Sequence, residues 1–199
     1  MTIFYEVRGA LYINLTNDCP CACTFCIRNN GDGAYGSDSL WLDRRPTSED
    51  VAAELEKLNL SSYSEAVFCG YGEPTEALDL LIFTAKLIRA RSDIKIRLNT
   101  NGLSDLINGK PTAALLKGLL DVVSISLNAP TEEEYLAVTR PSFGSGSFEA
   151  MLKFASECRE LFPEVVFTVV DVIERSSVAE CEKLAESMKI PLRVRKYDS

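Results

Sequence analysis

Four cysteines, Cys19, Cys21, Cys23 and Cys26, fall within eight residues, directly after a run that alternates apolar and polar side chains. Thiolates are soft ligands, and four of them on one loop lie within reach of a single metal centre. The preceding run supplies the platform: Leu11, Ile13 and Leu15 alternate with Tyr12, Asn14 and Thr16, the period of a strand half-buried against helices. A 4Fe-4S cube bound by all four thiolates is closed, whereas one bound by three leaves an iron open for chemistry, as a catalytic zinc keeps an open position. Spacing alone does not decide which three would serve. A zinc knot is disfavoured, because zinc ligands usually come from two separated clusters and Cys69, Cys158 and Cys181 are scattered.

The chain contains no histidine, which removes histidine acid–base catalysis, histidine-ligated zinc and Ser-His-Asp chemistry together. Lys and Arg number 21 and Asp and Glu 29, a formal charge of −8. That balance disfavours bulk capture of nucleic acid or an anionic membrane and leaves room for a local basic pocket. Residues 1–6 carry no basic leader and no apolar run is long enough to span a bilayer, so the expectation is a cytoplasmic protein with reduced thiols and no disulfides. At 199 residues and 46% hydrophobic, one domain over 1–199 is expected, burying roughly 70% of its unfolded surface without covalent staples.

Strands are expected over 11–16, 65–69, 94–100, 122–128, 165–172 and 192–197, with helices between them. Thr47 and Asp50 form a capping box ahead of the stripe Val51, Leu55 and Leu58, and Leu78, Leu81, Ala85 and Ile88 mark a second helix. A short helix is expected over 111–120; Thr131 and Glu134 open another, Ser147 begins a long one, and Ser177 to Glu180 caps the last. Cys158 and Cys181 fall on apolar helix stripes, and Cys69 reads as a buried strand cysteine. Six strands alternating with helices imply parallel pairing. Strands buried on both faces read as continuous apolar runs, but here Arg97, Asn99, Ser124, Ser126, Arg193 and Arg195 mark polar faces. Such residues suit a wet lumen, so the expected fold is an α/β partial six-stranded (β/α)6 barrel with its site at the C-terminal ends of the strands. The glycines at 31, 33 and 36 mark a connection that reads as either plain linker or closing lid.

Cys19, Cys23 and Cys26 form C-x3-C-x2-C with Phe25 before the last cysteine, and this closely resembles the cluster loop of the radical S-adenosylmethionine (SAM) superfamily. The resemblance implies a 4Fe-4S cluster on those three cysteines, with Cys21 left over, and SAM chelating the fourth iron. It implies one-electron cleavage of SAM to a 5'-deoxyadenosyl radical that abstracts hydrogen from an unknown substrate. Gly72-Glu73-Pro74, after the second expected strand, resembles the family's Gly-Gly-Glu-Pro motif and implies contact with the SAM amino group, with the Glu73 carboxylate on the rim. Ser126 and Asn128 match a Ser-x-Asp position that binds ribose hydroxyls, with Asn in place of the commoner Asp. Phe25, Asn99 and Thr168 complete the expected cofactor-binding set, Thr168 with the backbone near Val170 on the adenine side. Lys95, Arg97, Arg193 and Arg195 are candidates for the SAM carboxylate or an acidic substrate, internal pairing with Glu73 or Asp171 being the alternative.

The opening run 11–17, Phe25-Cys26-Ile27-Arg28 and Leu40-Trp41-Leu42 resemble the small TatD-associated radical SAM proteins, which implies a functional link to a TatD-type hydrolase. The family resemblance also implies a low-potential electron donor such as flavodoxin or ferredoxin. Two other readings compete with a small-molecule enzyme. One is an activase that makes a glycyl radical on a partner protein; the other is a non-catalytic Fe-S carrier in which Cys21 completes the cube.

Overall fold

A computed structural model describes residues 1–197. Seven strands form one sheet in chain order: β1 (Phe4–Val7), β2 (Ala10–Ile13), β3 (Glu65–Phe68), β4 (Lys95–Thr100), β5 (Val122–Ser126), β6 (Glu164–Val170) and β7 (Leu192–Arg195). From β2 to β7 every pairing is parallel, and β1 joins β2 antiparallel. The sheet stays open between β1 and β7, as a partial barrel does. Helices α1 (Ser48–Glu56), α2 (Leu78–Arg89), α3 (Ser104–Asn108), α4 (Ala113–Leu116), α5 (Glu132–Thr139), α6 (Ser147–Leu161) and α7 (Arg175–Ser187) fill the connections.

The six expected strands are all present, and β1 is an addition. It is short and turns into β2 through Arg8 and Gly9, both at positive φ (50° and 79°), as a two-residue hairpin loop matched to strand twist requires. Of the segment expected as a helix over 111–120, only Ala113–Leu116 is helical, as α4, and a further short helix, α3, precedes it. Gly109 ends α3 in a left-handed C-cap, and the Thr112 hydroxyl and backbone N–H both donate to Asp105 before α4 begins. Helix α7 starts at Arg175, ahead of the expected cap at Ser177, because the Val178 N–H already bonds the Glu174 carbonyl at 3.0 Å and closes the first turn. The capping box of α1 is present in both directions and contributes about 1 kcal/mol.

Strand alternation sorts the sheet into two faces. Leu11, Ile13, Phe68, Leu98, Ile125 and Phe167 are buried against the helices, among them Leu81, Ile88, Phe154 and the thiols of Cys158 and Cys181. The opposite, concave face carries a smaller cluster, in which Tyr5 and Val7 of β1 meet Ala34, Leu40 and Tyr71. The segment around Ala34 to Leu40 therefore folds into the barrel as a wall, so it is more than a linker. Among the described residues no helix is long and apolar enough to cross a membrane.

Candidate active site

The cysteine loop leaves the end of β2 and is bonded on two sides. On one, the Glu73 N–H donates to the Asp18 carbonyl at 2.8 Å, and the Asp18 N–H to the Thr16 hydroxyl at 3.0 Å. On the other, the end of α5 and the chain after it run alongside: Ala22 donates to Thr139 at 3.0 Å, Thr24 to Val138 at 2.9 Å and Ser142 to Pro20 at 2.8 Å, with Cys21 bridged to Pro141. These bonds satisfy backbone groups of a segment with no regular structure of its own and fix where its thiols point.

A strap formed by Leu40, Trp41 and Leu42 lies across the loop. Asn14 donates to the Leu40 carbonyl at 2.8 Å, and Asn17 exchanges two bonds with the Leu42 backbone at 2.8 and 3.0 Å. The Arg28 Nε donates to the Cys26 sulfur at 3.3 Å, while its guanidinium sits 5.9 Å from the Trp41 ring centre. Trp41 in turn meets Tyr71 edge-on at 5.0 Å. Sequence periodicity placed Asn14 on the polar face but missed this fastening role; two asparagines flanking a strand end were the available signal.

One cavity of about 220 Å3 opens on this loop at the C-terminal ends of the strands. It is lined by all four loop cysteines and by Phe25. Ser126, Asn128 and Thr168 reach it from the ends of β5 and β6, with Val170 beside them. Asn128 has φ of 61°, a left-handed conformation that Asn and Asp tolerate better than most residues. Cys69, Asn101, Arg195 and Tyr197 also line it. Cys69 was expected to be a buried strand cysteine; it directly follows the last residue of β3, is partly buried and borders the cavity.

Gly72, Glu73 and Asn99 are not in that lining. Gly72 sits where the turn after β3 passes the cysteine loop, and a Cβ there would lie 2.3 Å from the Thr16 carbonyl oxygen and 2.6 Å from that of Asp18. Glu73 corrects the expectation of a rim carboxylate: it is only 4% exposed and accepts from the Thr75 N–H and hydroxyl, the Thr100 hydroxyl and the Asn101 N–H, at 2.7–3.2 Å. Burial pushes its pKa above the ordinary carboxyl value, against these bonds. In the structure it ties the turn after β3 to the end of β4.

Asn99 lines a second cavity, of about 530 Å3, lower in the lumen, along with Arg97, Arg193 and Arg195. Arg195 borders both cavities. Lys95 lies outside both and pairs with Glu164 at 2.9 Å, and Arg97 pairs with Glu65 at 2.6 Å. The expected alternatives, Glu73 and Asp171, are not the partners, because the strand ends set Glu65 and Glu164 against these side chains.

The donor set suits a cluster. Hydrogen-bonding contact with Cys21 draws Cys19 and Cys23 below the ordinary thiol range, and the same contacts together with burial push Cys21 up. Among the described residues no three Cys, His, Asp or Glu side chains converge as ligands of a single ion would. Thiolates of a cube bind different irons, so they need not share one point.

Residues 13–188 match the family model of the radical SAM superfamily. The chain belongs to that superfamily. This radical SAM chain is 30% identical over 151 residues to GTP 3',8-cyclase of Corynebacterium glutamicum (strain R), an overlap of 72% of this chain and 37% of that protein. Among solved structures, SuiB of Streptococcus suis bound to S-adenosylmethionine aligns with a TM-score of 0.71 at 15% identity, over 96% of this chain and 41% of that one. A radical SAM methyltransferase from Sphaerobacter thermophilus aligns at 0.60 and 15%, over 97% and 68%. The chain thus spans about two fifths of the first relatives it matches, and structural likeness at such identity speaks to the fold.

Proposed function

We propose that this chain is a radical SAM enzyme in which Cys19, Cys23 and Cys26 hold a 4Fe-4S cluster and the adjoining cavity takes SAM. The observation that carries the reading is the shared cavity. The C-x3-C-x2-C thiols, Phe25, and the polar side chains of Ser126, Asn128 and Thr168 come from three separate strand ends and border one space. When bound, the cluster supplies an electron that cleaves SAM to methionine and a 5'-deoxyadenosyl radical, which takes hydrogen from the substrate.

The chain's own residues position and shield. Ser126 and Asn128 offer hydroxyl and amide groups that donate to and accept from ribose hydroxyls, and Thr168 with the Val170 backbone borders the adenine. Gly70 and Tyr71 line the cavity, and the backbone of this turn takes the SAM amino group, with Glu73 holding the turn from behind. Tyr35, Leu40 and Tyr71 form the wall that excludes water. Arg28 and Arg140 flank a further cavity on the outer side of the cysteine loop, and their charge suits an acidic low-potential donor such as flavodoxin or ferredoxin. The three segments that resemble the TatD-associated subgroup touch one another through Asn14, Asn17, Arg28 and Trp41, and on that resemblance alone the proposal extends to a functional link with a TatD-type hydrolase.

Iron and sulfide counts after anaerobic reconstitution test the ligand assignment. Cys21→Ser is expected to keep a full cube and Cys26→Ala to lose it; loss of the cube in Cys21→Ser overturns the three-cysteine reading.

A further inference from the structure

Below the cysteine-lined cavity the lumen is strongly basic, although the chain as a whole carries −8. Among the described residues, Arg8, Arg97, Arg193, Arg195 and Lys196 line it against one carboxylate, Glu65. Glu65 is already engaged by Arg97, and among the described residues Arg8, Arg193, Arg195 and Lys196 form no ion pair. Like charges gathered around a concave space repel one another and concentrate a field that attracts anions.

A second observation points to the same place. The Nε of Arg97 and the Oδ1 of Asn99 are buried and have no hydrogen-bond partner. They stand two residues apart on the lumen face of β4, and Asn99 lies in register with Ser124 of β5. A buried polar atom without a partner is destabilising. A bound oxyanion would accept from Arg97 Nε and neutralise the surplus cations, and a hydroxyl or amino group next to it would donate to Asn99 Oδ1.

We infer that the lumen between β4 and β7 is a binding site for a small oxyanion, a carboxylate or phosphate with a neighbouring hydroxyl or amino donor, held by Arg97, Arg193 and Arg195 and capped by Asn99. Its volume of about 530 Å3 falls within the roughly 300–1,000 Å3 of small-molecule sites. Thr168 and Arg195 border this cavity and the cysteine-lined one alike, so a ligand anchored here by its acidic end extends toward the cysteines. As an anion site this stands on the lumen alone; as the substrate's anchor it rests on the radical SAM reading. Binding energy at such an anchor, remote from the reacting atoms, serves to orient the substrate.

Calorimetric titration of the full chain, reconstituted with iron and sulfide and free of SAM, with inorganic phosphate and separately with L-malate at low ionic strength tests the inference. Saturable binding of at least one probe is expected, phosphate preference assigning a phosphoester and malate preference a carboxylate. Arg193→Gln/Arg195→Gln, on the exposed edge strand and without ion pairs to lose, is expected to weaken binding about tenfold or more. Lys95→Gln, which removes a cation outside the lumen, leaves it unchanged. No saturable binding of either probe up to tens of millimolar, or equal binding by the double variant, overturns the inference. Parallel assay of 5'-deoxyadenosine separates the two ideas: SAM cleavage without anion binding sinks the anion site alone, and anion binding without SAM cleavage sinks the enzyme reading alone.

Discussion

The Oε1 of Glu73 accepts from the Thr100 hydroxyl at 2.7 Å, joining the turn after β3 to the last residue of β4 directly behind the cysteine loop. The same oxygen takes two bonds from Thr75, and Oε2 takes the Asn101 N–H. Glu73→Ala strands all four donors and opens a cavity, and is expected to destabilise the chain by about 3–5 kcal/mol in urea unfolding. Glu73→Gln, which sets an amide N–H among donors, is expected to cost about 1–3 kcal/mol. A loss below half a kilocalorie in Glu73→Ala would show that the staple does not hold the turn.

The pH dependence of that site has a definite sign. Because burial raises the folded carboxyl above its ordinary value of 4.5, the folded chain binds more protons than the unfolded one through that interval, and stability falls as pH rises. The contribution is fully present below the ordinary value and is lost as pH passes the folded one. Wild-type stability relative to Glu73→Gln is therefore expected to shrink as pH rises from 4.5, then level off; a widening advantage contradicts the burial argument.

Gly72→Ala is expected to weaken both stability and the cysteine loop. Its Cβ would press on two backbone carbonyls, 2.3 and 2.6 Å away, and backbone cannot move aside as a flexible side chain does. A loss of about 1–3 kcal/mol, the range for overpacking, with reduced iron incorporation is the expected pair of results. Gly70→Ala meets the Asn14 side chain at 2.1 Å, which is itself pinned to Leu40, so a comparable loss is expected there.

Asn14 is fully buried and serves three backbone groups: the Leu40 and Thr2 carbonyls and the Tyr71 N–H. Asn14→Leu leaves them unpaired, and a loss of about 2–4 kcal/mol is expected from unsatisfied buried groups. Trp41, the single tryptophan of the chain, reports the strap: its emission is expected to shift red as the contacts with Arg28 and Tyr71 loosen. An unchanged spectrum would show that Asn17 alone secures the strap.

Cys158 and Cys181 are fully buried, and burial pushes both thiols up, Cys181 to about 12. In the native apo chain at pH 8, iodoacetamide is expected to modify Cys19 and Cys23, whose thiols are drawn down, and to spare Cys158 and Cys181, since the thiolate is the reacting form. Mass spectrometry reads the sites, and rapid labelling of either would contradict their place in the core.

The barrel was legible because its signals are local. Alternation in the strand containing Ile96 and Leu98, the α1 capping box and the glycines around Tyr71 each depend on neighbours in sequence. The strand Phe4–Val7 escaped because four residues carry too little periodicity to be distinguished from an extended lead-in. Glu73 was misjudged because its four donors come from Thr75, Thr100 and Asn101, and the long-range pair is visible only once β3 and β4 lie side by side. Asn99 was grouped with Ser126 because both face the lumen, but strand alternation gives a face and not a depth along it. Thr168 stands between the two levels, bordering both cavities.

The measurement closest to the central claim is 5'-deoxyadenosine formation after anaerobic reconstitution with iron and sulfide, followed by SAM and dithionite, read by chromatography. The account predicts product from the wild-type chain and from Cys21→Ser, and none from the variant with Cys19, Cys23 and Cys26 all changed to Ala. An intact cluster that leaves SAM uncleaved with dithionite and with flavodoxin or ferredoxin as donor would contradict it.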